Sequence, residues 1–292
     1  MGQRRATLWA FLLPSVLALL VVGLGPILFA LNMSLRRYNL ARPADLGTFI
    51  GLDNYRAVLN DPTFWDSLQR TFTFLGIVLP LQLLLGLAIA MLLNLPGQSF
   101  LRMLTRVALV IPLATTPAVL GLIGRLLFNR EAGVVNYGLS FFGVQPITWL
   151  GDPNNAFTAI VVMEVWQWTP LAALVFLAGL TTVPKEAEEA ARLETNRWHH
   201  ILRYVQLPFL LPGLTLILIL RTADVLKLFD LVFTMTRGGP GSATELVSLY
   251  VQRIGFRVFD QGVASAQGIL LLVLCIILSR LYIRFFYREA VA

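Results

Sequence analysis

Long apolar blocks alternate with short polar connections along this chain. Six blocks of more than about 20 residues each have the length that a helix needs to cross about 30 Å of hydrocarbon. Strands of a membrane barrel are about half as long and alternate in polarity, which none of these blocks does. The pattern therefore predicts an all-α membrane protein with six transmembrane helices in a single domain, residues 1–292. The predicted spans are residues 8–32, 71–95, 103–128, 157–180, 209–234 and 263–287.

The first block follows Arg4 and Arg5, so a cleaved secretory signal is the alternative to a first span. The block is longer than the about 7 to 15 apolar residues of a signal core and has no clear small-x-small cleavage site. We therefore expect an uncleaved span with the N-terminus inside the cell. Basic residues fall almost evenly on the two sets of connections, but the inner connections are shorter and so carry them at higher density.

Composition agrees with a chain that has lipid as its solvent. Hydrophobic residues make up 57% of the 292 positions and charged residues 13%, too few to cover a soluble globule of this size. The net charge of +7 suits an anionic membrane surface, and we expect no nucleic-acid partner. The single cysteine, Cys275, lies inside the last block, which excludes an internal disulfide.

The longest predicted inner connection, residues 181–208, is organised as two short helices. Pro184 introduces a helix over residues 185–193, with acidic residues near the positive end of the helix dipole. A second amphipathic helix is predicted over residues 198–205. Helix–helix connections usually need only about 2 to 8 residues. The length and organisation of this connection therefore predict a docking surface for another protein.

The 181–208 loop resembles the EAA signature of the membrane subunits of ABC importers. In that family the signature is Glu-Ala-Ala, a hydrophobic residue, Asp-Gly-Ala and a terminal Ile-x-Leu-Pro. The matching residues here are Glu189, Ala190, Ala191, Leu193, Glu194, Val205, Leu207, Pro208 and Pro212. Glu194, Thr195 and Asn196 replace Asp-Gly-Ala, so the glycine of the sharp turn is missing. Asparagine tolerates the left-handed conformation, and we expect Asn196 to make the turn.

Two further stretches narrow the resemblance to the carbohydrate-uptake branch, which takes up sugars or glycerol phosphates. Gly51, Leu52, Asn54 and Tyr55, followed by Asp61, Phe64 and Trp65, look like the first outer loop of that branch. Phe229 and Asp230, followed by Thr236, Gly238, Gly239 and Pro240, look like its fifth span and the loop after it. The resemblance covers almost the whole chain and implies the type I importer permease fold, in which two short cytoplasmic coupling helices accompany the spans.

The resemblance also implies the partners of the chain. In the inner membrane of the cell, it would form a heterodimer with a second homologous permease subunit. Two ATP-binding cassette subunits would power this heterodimer, and an extracytoplasmic solute-binding protein would deliver the substrate to it. The residues that would couple the chain to the ATPase are Glu186, Glu189, Ala190, Ala191, Leu193, Glu194, Thr195, Asn196 and Arg197. We expect ATP and Mg²⁺ to bind the partner subunits and no cofactor to bind this chain.

No catalytic chemistry is readable in the sequence. The glycine-rich run at 238–241 lacks the Lys and Ser or Thr that a P-loop requires. His199 and His200 are adjacent and lack the i, i+4 spacing of a helical metal pair. We therefore expect no catalytic residue, no metal site and no enzymatic activity.

Charged residues recur within the fifth predicted span at steps of three, namely Arg221, Asp224, Lys227 and Asp230. This spacing keeps them near one slowly drifting helix face. Ionisable groups at membrane depth normally face protein or water. Two interpretations stay open: the alternating charges pair within the helix, or this face lines a polar pathway. The predicted substrate pathway comprises Glu164, Gln167, Arg221, Asp224, Lys227, Phe229 and Asp230, whereas Trp166 and Trp168 are candidates for an aromatic belt.

The leading hypothesis is an importer permease that moves a sugar, with a di- or oligosaccharide as first choice, by alternating access. A glycerol-phosphate importer permease of the same family is the alternative. A secondary transporter driven by an ion gradient would leave the 181–208 loop unexplained. A membrane-embedded enzyme would need a catalytic cluster.

Overall fold

The computed structural model describes residues 2–42, 46–95, 99–195 and 197–286, and most of these are helical. The only strands in these ranges, β1 (Arg36–Arg37) and β2 (Thr48–Phe49), pair in antiparallel fashion. The helices are α1 (Gly2–Ser34), α2 (Asp53–Leu59), α3 (Pro62–Asn94), α4 (Ser99–Ala114), α5 (Pro117–Leu127), α6 (Val134–Ser140), α7 (Pro153–Thr181), α8 (Lys185–Glu194), α9 (Trp198–Ile201), α10 (Leu207–Leu226), α11 (Asp230–Met235), α12 (Val247–Phe256) and α13 (Gln261–Phe286). A π-helical segment, Leu202–Gln206, joins α9 to α10.

The described residues contain five single helices that are long and apolar enough to cross a membrane, and a sixth span if one bent pair is counted. The five are Leu12–Ser34, Pro62–Asn94, Pro153–Thr181, Trp198–Leu226 and Gln261–Phe286. The predicted all-α membrane fold is therefore confirmed. Three of the predicted elements differ in detail from the structure.

The third predicted span, residues 103–128, is not one straight helix. It consists of α4 and α5, which meet at an angle of 99°. Pro117 has no N–H to donate, and its ring disfavours the helical conformation in the residue before it. Thr116 is accordingly extended, with φ −69° and ψ 145°. Mean hydropathy does not register such a break, because the residues on both sides of it are apolar.

The fifth predicted span, residues 209–234, also breaks. Its helix α10 ends at Leu226, and α11 begins at Asp230. The Ser248 hydroxyl donates a hydrogen bond to the Leu228 carbonyl, which the break leaves without a helical partner. Arg221 and Asp230 therefore belong to two different helices, and the predicted common helix face ends before Asp230.

The two helices predicted in the 181–208 loop are present in different forms. The first is α8, which extends one residue beyond the predicted 185–193. The second, predicted as a separate helix over 198–205, continues without a break into the next span. Pro208 explains the π-helical segment at the junction, because its ring would clash with the carbonyl four residues earlier and the wider turn relieves this clash.

The described residues form two compact units. The first comprises the described residues of the ranges 2–65 and 250–274. In it the buried Asn54 amide donates to the carbonyls of Ser34 and Arg36, at 2.8 Å in each case, and so fixes the end of α1 against α2. The predicted first outer loop thus contains all of α2 and also the beginning of α3, which starts at Pro62.

The second unit comprises the described residues of the ranges 66–249 and 275–286, and α7 is its central helix. In an apolar stretch of 18 residues within α7, 67% of the residues are buried, which is the largest such share among the five single candidate spans. Side chains from α3, α5, α7 and α11 meet in one core that contains Val78, Leu120, Ile160 and Leu231. Helices α3 and α7 cross so closely that a Cβ at Gly86 would lie 2.5 Å from that of Ala172. Small residues at such crossings are typical of membrane helices, because backbones must approach closely for tight packing.

Candidate functional site

A cavity of about 240 Å³ lies in the second unit beside both helix breaks. Non-helical backbone at membrane depth is tolerated where it is buried in protein or lines a cavity, and both breaks fit this rule. Most of the predicted pathway residues line this cavity. The lining residues are Pro117, Glu164, Trp168, Arg221, Asp224, Lys227, Leu228, Phe229 and Asp230.

Arg221 is the most connected side chain at this cavity and is only 1% exposed. Its Nη2 forms an ion pair with Oε1 of Glu164, which is equally buried on α7. Its Nη1 lies 3.2 Å from Oδ2 of Asp224, one turn along α10. Its Nε donates to Oε1 of Gln82 on α3, at 3.2 Å. One guanidinium thus joins three helices through charge-assisted hydrogen bonds.

Two further residues complete this network: Gln82, which the sequence analysis missed, and Trp168, which it named as a candidate belt residue. Gln82, 1% exposed, also donates from Nε2 to the Glu164 carbonyl at 3.1 Å. The ring of Trp168 lies under the Arg221 guanidinium, with 4.3 Å between its centroid and Cζ, a cation–π contact. Trp168 is therefore part of the site, where the sequence had suggested a belt residue. A lone amide in the middle of the apolar second block was the available signal for Gln82.

Arg221 and Lys227 each form an ion pair with Asp224, as the interpretation of alternating charges that pair along the helix predicted. Asp224 accepts from Arg221 and also lies 3.0 Å from Nζ of Lys227. Lys227 is largely exposed, at 74% of its side chain, so its bond to Asp224 is screened by solvent. Among the described residues, no cation lies within ion-pair distance of the exposed Asp230 carboxylate. Pairing and cavity lining therefore coexist on these residues.

Gln167 and Phe229 occupy positions that favour structural roles. Gln167 is buried and donates from Nε2 to the Thr115 carbonyl at 2.7 Å, which satisfies a backbone group at the break between α4 and α5. The Phe229 ring lines the cavity and stacks on that of Phe233, with centroids 5.0 Å apart. A pathway role for either side chain stays a prediction. The described residues also contain no group of three His, Cys, Asp or Glu placed to hold a metal ion.

The second candidate site is the surface of α8 in the 181–208 loop. None of the residues of α8 is buried, and Leu193 is 90% exposed. The side chains of Glu186, Glu189, Ala190, Glu194 and Arg197 are exposed too, while Ala191 is half-buried. The helix is held in place by a hydrogen bond from the Gln206 amide to the Glu188 carboxylate. With Trp198 and Tyr204, which are also exposed, Leu193 places large apolar side chains on the surface of this loop, which makes it a candidate surface for a partner.

The turn after α8 lacks the family's glycine, and a threonine hydroxyl supports it. Thr195 is extended, with φ −149° and ψ 136°, and its Oγ1 accepts from the Arg197 N–H at 3.2 Å. Such a hydroxyl-to-backbone bond two residues along the chain is a common way to stabilise a turn. The predicted turn residue, Asn196, lies outside the described residues.

Comparison with known proteins gives one family match and several similar relatives. The model of the family described as binding-protein-dependent transport system inner membrane component matches residues 46–290. The chain is 35% identical over 278 residues to the trehalose/maltose transport system permease protein MalF of Thermococcus litoralis, covering 94% of this chain and 92% of that protein. It is 36% identical over 236 residues to the sulfoquinovosyl glycerol transport system permease protein SmoG of Agrobacterium fabrum, covering 81% and 76% respectively.

A solved structure shares the fold. A chain of a bacterial ABC transporter involved in the import of the acidic polysaccharide alginate superposes with a TM-score of 0.81. The match covers 98% of both chains at 20% sequence identity, so it speaks for the fold alone.

Proposed function

The chain belongs to the family of binding-protein-dependent transport system inner membrane components, and on that premise we propose that it forms half of the sugar pathway of an ATP-driven importer. It is a multi-pass permease of the inner membrane. Its cargo in this proposal is a di- or oligosaccharide. The names of two relatives support a carbohydrate, since one is a permease for trehalose and maltose and the other for sulfoquinovosyl glycerol.

The chemistry of the 240 Å³ cavity supports the same cargo. Carboxylates and an ammonium group, from Asp224, Asp230 and Lys227, offer hydrogen bonds to hydroxyl groups. The Phe229 ring offers a flat apolar surface beside them. Sites for small molecules typically combine such an apolar wall with a few placed polar groups. A volume of about 240 Å³ is small for a disaccharide, so in this proposal a second permease subunit supplies the other half of the pathway.

The observation that carries the proposal is the exposed surface of α8. In the proposal it docks on a separate ATP-binding cassette subunit, which binds ATP and Mg²⁺ and hydrolyses the nucleotide. Two such subunits serve the two permeases, and an extracytoplasmic binding protein delivers the sugar. An ion-gradient-driven transporter would have no use for a fixed helix that exposes Leu193 fully.

Alternating access follows from the same arrangement. The helix that begins at Trp198 in the loop continues to Leu226 beside the cavity. In this proposal a displacement at the loop is transmitted to Arg221 along this 29-residue helix. Closure of the ATPase dimer would draw the loops together, and the breaks before Pro117 and after Leu226 would let the cavity open toward the binding protein.

Variants on α8 test this proposal in the complete importer. We expect Glu189→Ala and Leu193→Asp to reduce ATP-driven sugar uptake at least tenfold, because both change the docking surface and neither side chain is buried. Glu131→Ala is the matched control, since it also removes an exposed carboxylate but lies in another connection. Uptake that is unchanged in both α8 variants, or uptake by this chain without an ATPase, would contradict the proposal.

A further inference from the structure

The charges around the 240 Å³ cavity do not cancel. Three carboxylates line it, from Glu164, Asp224 and Asp230, against the two cations of Arg221 and Lys227, which leaves one net negative charge. In the sequence, the two cations Arg221 and Lys227 are matched in number by Asp224 and Asp230. Glu164 of α7 lines the same cavity and adds a third carboxylate.

The two cations differ in how accessible they are to an anionic ligand. The Arg221 guanidinium is buried and shares its donors among Glu164, Gln82 and Asp224. One face of it rests on the Trp168 ring. Lys227 is exposed, but its ammonium lies 3.0 Å from the Asp224 carboxylate. A phosphate, sulfonate or carboxylate entering this cavity would therefore compete with Asp224 for Lys227 and would also meet the unpaired Asp230.

The accessible carboxylate of Asp230 favours ligands that donate hydrogen bonds. It lines the cavity, and among the described residues no cation lies within ion-pair distance of it. A hydroxyl group can donate its proton to such a carboxylate, whereas a fully ionised anionic group has none to give.

We propose that this cavity selects neutral, hydroxyl-rich saccharides and rejects anionic ones, including glycerol phosphates, with Asp230 as a residue that sets this charge preference. The proposal rests on the sugar-import function proposed above and specifies its substrate class. Membership of the family does not distinguish between neutral and anionic substrates. The relatives and the solved structure include proteins named for trehalose and maltose, for sulfoquinovosyl glycerol and for an acidic polysaccharide.

Asp230 allows the charge to be changed without disturbing the buried network. Its side chain is exposed at the first residue of α11, whereas Glu164 and Arg221 are both 1% exposed. Replacement by lysine changes the net charge of the cavity lining from one negative to one positive. At the distances found in such a cavity, reversal of one charge alters the affinity for a charged ligand by about tenfold or more.

The test measures saccharide binding to the assembled permeases and ATPases in lipid nanodiscs, without the binding protein so that its own selectivity does not intervene. The probes are neutral di- to tetrasaccharides, trehalose and maltose among them, and uronate-bearing saccharides of equal length. We expect the wild type to bind neutral probes at least about tenfold more tightly than acidic ones. In Asp230→Lys this ratio should fall about tenfold, while the matched control Glu131→Lys, an exposed carboxylate outside the cavity, should leave it unchanged.

Equal or tighter binding of acidic probes by the wild type would overturn the charge preference and leave the import function intact. Equal shifts in Asp230→Lys and Glu131→Lys would overturn the assignment to Asp230. Binding of neither class, together with sugar uptake that is absent from the complete importer, would contradict the import function itself.

Discussion

Arg221 contacts three polar side chains and one aromatic ring in the second unit. An arginine at membrane depth is costly, and this one is almost fully buried as well. Its cost is offset by two carboxylates, an amide and an aromatic ring that come from α3, α7 and α10. Removal of one partner from such a group is more damaging than removal of the whole pair, because the partners left behind are buried charges.

Arg221→Met should therefore destabilise the chain by about 3 to 5 kcal/mol, because it leaves Glu164 buried without a counter-charge. The double variant Arg221→Met with Glu164→Gln should recover part of this loss. Thermal unfolding in detergent, followed by the fraction that stays monodisperse, measures both effects.

The matched control is Lys227→Met, which removes a cation from the same cavity. Its side chain is 74% exposed, so we expect a change of no more than about 1 kcal/mol. Equal loss of stability in Arg221→Met and Lys227→Met would show that the buried network does not hold these helices together.

At the scale of elements, the helices are predictable from the sequence and their breaks are not. Block length and hydropathy place the fourth and sixth predicted spans within 4 residues of the helices Pro153–Thr181 and Gln261–Phe286. The helices of the second and fifth spans begin 9 and 11 residues earlier than predicted, at Pro62 and Trp198. Pro117 is a local cause of one break, but both breaks are also stabilised by partners that are distant in the chain. The Gln167 amide donates a hydrogen bond to the Thr115 carbonyl at one break, and the Ser248 hydroxyl donates one to the Leu228 carbonyl at the other. Periodicity describes a residue and its neighbours along one helix, and so it contains no information about these bonds.

The same reason explains what could be predicted of the candidate sites. The 181–208 loop was found from its local signature, because coupling residues follow one another in sequence. The charges on α10 were found from their spacing of three. Glu164 was found as the only acidic residue of its block, but its pairing with Arg221 joins positions 57 residues apart. Gln82, 139 residues from Arg221, was missed altogether.

The close crossing of α3 and α7 gives a prediction at this scale. Gly86→Val should push the two helices apart, since even a Cβ would lie 2.5 Å from Ala172, and we expect a loss of about 1 to 3 kcal/mol in stability. Gly76→Val on the same helix is the control, because nothing lies within 4 Å of its Cβ position. Thermal unfolding of the two variants in detergent compares them. Similar stabilities would indicate that α3 and α7 do not pack as described.

At the scale of the whole molecule, we propose that the chain contributes a pathway and a docking surface and that partner subunits complete both. Helix α8 buries none of its residues, and the cavity is small for a disaccharide. Each of the spans at the two ends of the chain, Leu12–Ser34 and Gln261–Phe286, also contains an apolar stretch of 18 residues with no buried residue. Lipid and a second permease subunit are the partners that we propose for these surfaces, and an ATPase is the partner for α8.

The most direct test of this account is sugar accumulation in proteoliposomes that contain the chain, its partner permease and their ATPase subunits, with binding protein and labelled saccharide outside and ATP enclosed. We predict accumulation against the gradient that requires ATP and stops when the ATPase subunits are omitted. Accumulation that continues without them, driven instead by an imposed proton or sodium gradient, would contradict the account.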